Sequence, residues 1–269
     1  MPREKINLNI DVSTVVVQGR EVKLPFLKCE ASVDVIRCEK LTDVIEKEEP
    51  VRGFIEVDVR DSEGRVVQRG RHEMRSFVNN LLRMLEGFMR AVGGVALEFW
   101  GVVASTTVIA LDGSSQTTWI ERYAPDSYYG GGTPMALKAG DNDDSYGIIV
   151  GSGTTTVTLD QYSLASKIPH GTGAGQLDYD PVTVEDLGLD TSVSPPVYRL
   201  RVIRAFKNLS GGDVSISEVG LVARAYWKDS GGLRQDIKYL IARDVLPTSY
   251  TVPNGGSATV AVTVEVVLG

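Results

Sequence analysis

Alternation of apolar and polar residues is the clearest pattern at the amino-terminal end of the chain. Apolar residues occupy every second position of residues 6–13, beginning with Ile6, and Asn, Asp and Ser lie between them. This period of two predicts a strand with one buried and one solvated face. The apolar character continues to Val17 and stops at Gly19. Strands at chain termini are easily exchanged between subunits, so two pairings of residues 6–17 stay open: within the subunit, or into a neighbouring copy.

The same period predicts further strands. Residues 54–60 and 65–69 flank the turn sequence Asp61-Ser-Glu-Gly64, which predicts a β-hairpin. The second half of the chain has more such segments at short spacing, separated by Gly, Pro and Ser: residues 147–150, 197–206, 214–226, 236–243 and 257–268. Helices do not alternate with these strands, as a parallel βαβ fold would require. We therefore predict a mainly β fold, an antiparallel β-sandwich or jelly roll.

A helical period interrupts the strands once, over residues 76–92. Ser76 is a plausible N-cap and Gly93-Gly94 closes the segment. The apolar stripe of this amphipathic helix consists of Phe77, Leu81, Leu85, Phe88, Met89 and Val92. We interpret the stripe as core, packed across a sheet or between two parts of the fold. A change of composition near Ala139 predicts two parts: a β-rich part with the helix over 1–139, and a β-sandwich over 140–269.

Composition and charge narrow the classes of function. The 269 residues are 42% hydrophobic and 23% charged, which is typical of a folded globular protein. The net charge of −7 opposes non-specific binding to phosphate backbones, so we predict no nucleic-acid partner. No apolar stretch has the length of a membrane span or the form of a signal peptide, so we predict neither.

Residues that could support catalysis are few. His72 and His170 are the two histidines, and Ser76, four residues after His72, is better explained as a helix cap. The glycine-rich stretches 151–153 and 171–175 are not followed by a helical pattern, which a phosphate-binding loop requires. We therefore predict no catalytic residue and no cofactor.

Two sets of residues bear on metals and cross-links. Cys29 and Cys38 are interpreted either as small buried hydrophobic residues or as one disulfide between neighbouring strands. The cluster Asp141-Asn-Asp-Asp144 offers oxygen ligands that suit Ca²⁺, but an EF-hand loop would need Gly and an acid where Tyr146 and Ser152 stand. A solvated turn is the favoured interpretation, and we predict no metal site.

Three groups of segments, here called the motif segments, follow one another in the second half. The first is Asp144-Ser-Tyr-Gly-Ile-Ile-Val-Gly-Ser-Gly153 with Asp160-Gln-Tyr-Ser-Leu-Ala-Ser-Lys-Ile168 and Gly173-Ala-Gly-Gln-Leu177; the second is Ile216-Ser-Glu-Val-Gly-Leu221; the third is Leu240-Ile-Ala-Arg-Asp-Val-Leu-Pro247 with Val252-Pro-Asn-Gly-Gly256. Their order, over roughly residues 144–268, resembles virion structural proteins of tailed phages and archaeal viruses, often labelled tail or fibre proteins.

The resemblance implies a non-enzymatic virion protein without catalytic residues to carry over. Such a protein would assemble with itself and with other virion proteins into a fibre, tail or coat, with a host-surface glycan as a possible further partner. Two alternatives stay open: a subunit of a cellular surface filament or pilus, and a carbohydrate-binding jelly roll. The second would need an aromatic platform, for which the candidates are Trp100, Trp119, Trp227, Tyr128 and Tyr129.

Overall fold

The computed structural model describes residues 51–74, 76–90, 102–121, 135–228 and 234–268, and the backbone of five short strands within residues 10–40. The chain divides into two compact units, residues 1–49 and 50–269. The change of composition predicts a division near residue 139 instead. Across that position, a strand that begins at Val51 pairs with a strand that ends at Val267.

The first unit contains two small antiparallel sheets. Its strands are β1 (Ile10–Asp11), β2 (Val15–Val17), β3 (Arg20–Val22), β4 (Leu27–Ser32) and β5 (Val35–Lys40). β4 pairs with both β1 and β5, and β2 pairs with β3. Cys29 and Cys38 are register partners across β4 and β5. The described parts of residues 6–17 are thus two strands that pair within the chain; residues 6–9 and 12–14 lie outside the described residues.

The second unit carries the remaining elements. They are β6 (Val51–Arg60), β7 (Val66–Met74), α1 (Asn79–Arg90), β8 (Val102–Ile109), β9 (Ser115–Glu121), β10 (Gly147–Gly151), β11 (Asp178–Tyr179), β12 (Thr183–Asp190), β13 (Val197–Lys207), β14 (Val214–Lys228), β15 (Arg234–Val252) and β16 (Ser257–Val267). Every pairing among these strands is antiparallel. The predicted mainly β, antiparallel fold is confirmed.

Two sheets form the body of this unit. A six-stranded sheet has the order β13–β16–β6–β7, with β11 and β12 both paired to the other side of β13, and a three-stranded sheet has the order β10–β14–β15. Both sheets contribute to a common hydrophobic core, for example Val57 from β6, Val260 from β16 and Tyr239 from β15. The alternation in β6 explains its place, because Ile55, Val57 and Val59 are buried while the residues between them are partly exposed. This arrangement is consistent with the predicted β-sandwich.

The helix differs from its prediction at both its start and its stripe. It begins at Asn79, because residues before it join the sheet: Phe77 forms a β-bridge with Ala242, and the Ser76 carbonyl accepts a hydrogen bond from the Arg243 amide. Ser76 is therefore not the N-cap. Leu85, which was predicted to lie in the buried stripe, is 45% exposed. Met84, which was not part of the predicted stripe, is fully buried. The helix packs against β8 and β15. The side chains of Phe88, Met89 and Val92 lie outside the described residues.

Candidate functional site

A buried ion pair joins the two long strands of the three-stranded sheet. The Arg243 Nε on β15 donates to the Glu218 Oε2 on β14 at 2.6 Å, and both side chains are fully removed from solvent. The strands place them as near neighbours, because Arg243 is the register partner of Gly220, two residues after Glu218. Ions this deeply buried need further hydrogen bonds to offset the loss of water.

The ion pair finds those hydrogen bonds in the loop of residues 152–168, which follows β10. Glu218 accepts from the backbone amides of Gly153 at 3.1 Å, Ala165 at 3.1 Å and Ser166 at 2.7 Å. Arg243 donates to the Gln161 side-chain oxygen at 2.8 Å and to the Thr155 hydroxyl at 3.3 Å. The pair and the loop together, called here the Glu218 network, contain residues from all three groups of motif segments.

Three glycines of the motif segments allow this close packing. A Cβ on Gly151 would lie 2.4 Å from the Ser166 carbonyl oxygen, and one on Gly153 would lie 2.5 Å from a Glu218 carboxylate oxygen. A Cβ on Gly220 would lie 2.3 Å from the Leu164 Cδ1. Within the glycine loop at residues 151–153, the Gly153 amide does donate to an anion, but that anion is the chain's own Glu218 carboxylate.

A second buried cation, Arg204 on β13, holds the loop that precedes β10. Its guanidinium donates to the backbone carbonyl oxygens of Asp180, Tyr146, Ile148, Gly140 and Asp143, at 2.6 to 3.3 Å. The same group lies 4.7 Å from the centroid of the Tyr179 ring. Burial lowers the pKa of Arg204 from its ordinary value. The Arg204 side chain faces the core, and the residue is 1% exposed.

The acidic cluster at residues 141–144 is used in turn formation and one ion pair. Asp143 accepts from the Ser145 amide at 2.9 Å, and Asp144 accepts from the His170 amide at 2.8 Å and from the Lys167 ammonium at 3.0 Å. Burial acts to raise the pKa of Asp144, but those two partners outweigh it, so the pKa lies below its ordinary value. Within the described ranges, no three His, Cys, Asp or Glu side chains lie together as a metal site would need.

The two histidines lie in separate structural settings. The His72 Nε2 is hydrogen-bonded to the Tyr250 hydroxyl, which joins β7 to β15. Burial lowers the pKa of the His72 imidazole below its ordinary value. The His170 Nδ1 accepts from the Tyr179 amide at 3.3 Å and lies 3.5 Å from the Asp178 carboxylate. These contacts join loops and strands and place neither imidazole against a serine nucleophile.

The outer face of the six-stranded sheet carries a shallow trough of about 660 Å³. The trough is lined by Thr259 and Ala261 of β16 and by arginines and acids of the neighbouring strands. Arg69 pairs with Asp58 at 2.6 Å, and Arg201 pairs with Glu56 at 3.2 Å. The two arginine side chains are 67% and 35% exposed, so both are at least partly solvated.

Sequence reasoning missed the Glu218 network. The sequence did contain a signal, because two charged residues lie in segments that are otherwise mainly apolar. Glu218 lies between Ile216 and Val219, and Arg243 follows Leu240-Ile-Ala242. A charge at such a position is buried only with a partner, and the partner depends on a strand register that periodicity does not reveal. The side chains of Trp100, Trp119, Trp227, Tyr128 and Tyr129 lie outside the described residues.

Comparison of the chain with protein-family models, curated proteins and solved structures found no match. In the part of the chain that the structure describes, no helix has the length and apolarity of a membrane span.

Proposed function

We propose that this protein is a non-enzymatic structural subunit of a virion, from an archaeal virus or a tailed phage. It assembles with copies of itself and with other virion proteins into a fibre, tail or coat component, and acts at the virion. The order of the motif segments supports this proposal through the resemblance described above.

The Glu218 network is the observation that carries the proposal. A carboxylate and a guanidinium that act on a substrate must reach it, whereas Glu218 and Arg243 are both fully buried. Their hydrogen bonds go to the loop of residues 152–168 and to each other. The segments that carry the resemblance therefore serve the architecture of the subunit, as expected for a protein whose activity is to keep its shape in an assembly.

Sedimentation velocity of the full chain over a concentration series tests this proposal. A subunit that assembles with itself gives species much larger than the 29.1 kDa chain, and their fraction rises with concentration. A carbohydrate-binding module instead gives a dispersed monomer that binds on a glycan array. A monomer at every concentration, with or without glycan binding, contradicts the proposed self-assembly.

A subunit of a cellular surface filament stays the alternative, because it would also polymerise. The two proposals differ in where the polymer occurs. Antibodies raised against the purified chain would label virus particles in one case and cell-surface filaments in the other.

A further inference from the structure

The six-stranded sheet ends in two open edge strands, β12 and β7. β12 is paired with β13 on one side and β7 with β6 on one side, and no strand in the described parts of the chain pairs with the other side of either. Most residues of β12, and of the first half of β7, are exposed. Open strand edges present unpaired backbone groups, which are ready to pair with another chain.

The two edges carry opposite charge. β12 contains Glu185, Asp186 and Asp190, and no Lys or Arg occurs anywhere in residues 168–198. β7 contains two arginines and one acid, Glu73, and Arg65 directly precedes it, so the edge has an excess of positive charge. Arg69 and Arg71 are paired with acids of β6, yet their side chains remain 67% and 57% exposed to a further partner. An acidic edge repels another acidic edge and a basic edge repels another basic edge, so charge favours contact between unlike edges.

Both edges also expose apolar side chains. Leu187 and Leu189 on β12 are 50% and 53% exposed, and Val66 and Val67 on β7 are 43% and 50% exposed. Exposed apolar side chains favour contact with another chain, so they would not be expected on an edge whose only role is to prevent such contact. Their burial in a contact adds to the attraction between the charges.

Strand direction makes the two edges compatible. The order β12–β13–β16–β6–β7 is antiparallel at each step, so β12 and β7 run in the same direction. A second copy can be shifted across the strands by the width of the sheet without being turned over. Its β12 then lies beside β7 of the first copy and parallel to it, and the two six-stranded sheets have their core-facing sides on the same side. The twist of sheets turns each copy relative to the last, which gives an open helical array rather than a closed dimer.

We propose that the acidic edge β12 of one copy pairs with the basic edge β7 of the next, so that the six-stranded sheet continues from subunit to subunit. This inference rests on the proposed function, since it names the contact through which copies assemble. A β-bulge next to Gly188 interrupts the regular backbone of β12. The pairing between copies therefore forms over a short segment of β12 that lies on one side of this bulge.

Charge exchange between the edges provides the test. The variant Glu185→Lys with Asp186→Lys makes β12 basic, and the variant Val67→Glu with Arg69→Glu makes β7 acidic. Each protein then has two edges of like charge, so neither polymerises alone. An equal mixture restores polymers, because each basic edge meets an acidic one. Two controls carry similar changes elsewhere: Leu159→Glu, at a loop residue that is 66% exposed, and Asp112→Lys, at an exposed turn residue that accepts only from Ser114 among the described hydrogen bonds. Both should assemble like the original chain.

Thermal denaturation first establishes that each variant is folded. If the double variant of β7 unfolds, the single variant Val67→Glu replaces it in the test. A valine side chain makes no hydrogen bond or ion pair, so this change removes none, and the added carboxylate should weaken assembly. Polymers of the original chain should also decrease as salt is added, because salt screens exposed charges.

The outcomes separate the inference from the proposed function. Normal polymers from both edge variants would overturn the edge contact and leave self-assembly standing. Loss of polymers in both variants without recovery in the mixture would show that the edges do not meet each other, which also overturns it. An original chain that is monomeric at every concentration would overturn both, and the charged edges would then be a protection against pairing.

Discussion

Glu218 is the residue that fixes the loop of residues 152–168, through three backbone amides and the Arg243 guanidinium. Glu218→Gln leaves the buried Arg243 guanidinium without its counter-charge and turns a donor group towards backbone amides that need an acceptor. We expect a loss of about 3–5 kcal/mol in the free energy of unfolding. Urea unfolding followed by circular dichroism measures it. The control Arg65→Gln, in an exposed pair with Asp61, should lose less than about 1 kcal/mol. Equal losses in the two variants would contradict this role of Glu218.

Gly151 illustrates a second demand of the same packing. In Gly151→Ala the new Cβ would meet the Ser166 carbonyl oxygen, which is backbone and has little room to shift. Overpacking of this kind costs about 1–3 kcal/mol. Gly212→Ala is the matched control, because no atom lies within 4 Å of its added Cβ. Thermal denaturation should show a clearly lower Tm for the first variant and little change for the second; a Tm equal to that of the original chain in Gly151→Ala would contradict the close approach.

His72 predicts a pH dependence of stability. Burial lowers the pKa of His72 from its ordinary value of 6.5, so the folded state binds this proton less readily than the unfolded state. As the pH falls through 6.5, the unfolded state takes up the proton first and stability decreases, and the decrease levels off below the pKa of the folded state. His72→Gln should remove this part of the pH dependence, measured as the urea midpoint against pH, and His170→Gln should retain it. An unchanged slope in His72→Gln would refute the assignment.

The helix tests packing at the scale of an element. Met84 is fully buried and Leu85, its neighbour, is 45% exposed. Met84→Ala should therefore cost about 2–5 kcal/mol, whereas Leu85→Ala should cost about 0.5 kcal/mol or less. Chemical denaturation of both variants measures the difference. A larger loss for Leu85→Ala would mean that the originally predicted stripe, and not the observed one, faces the core.

The strands and the helix were predictable to different degrees. The alternation of residues 54–60 predicted β6, because that strand buries one face and leaves the other partly exposed. The alternation of residues 257–268 also predicted β16, but there both faces are buried from Val260 to Thr263, because the strand lies between β13 and β6 inside the sheet. The start of α1 was not predictable, because Phe77 joins Ala242 of β15 in a β-bridge, and such a contact outweighs the local preference of Ser76 for a helix cap. Local pattern thus identified the elements but not the tertiary contacts that move their ends.

At the scale of the whole molecule, the sequence did not reveal which distant strands are neighbours. β6 lies beside β16 in one sheet although the two are far apart in the chain, and a change of composition near residue 139 does not report this pairing. The Glu218 network was hidden for the same reason: it joins the motif segments through the register of β14 and β15. The order of those segments could be read from the sequence, and it carries the resemblance on which the proposed function rests.

The proposed function requires that the protein builds an assembly from copies of itself. Negative-stain electron microscopy of the purified full chain at low ionic strength tests it most directly, because it shows the form of any assembly as well as its presence. We predict filaments or particles with a regular subunit repeat. A field of dispersed single molecules, unchanged as the protein is concentrated, would contradict the proposed function.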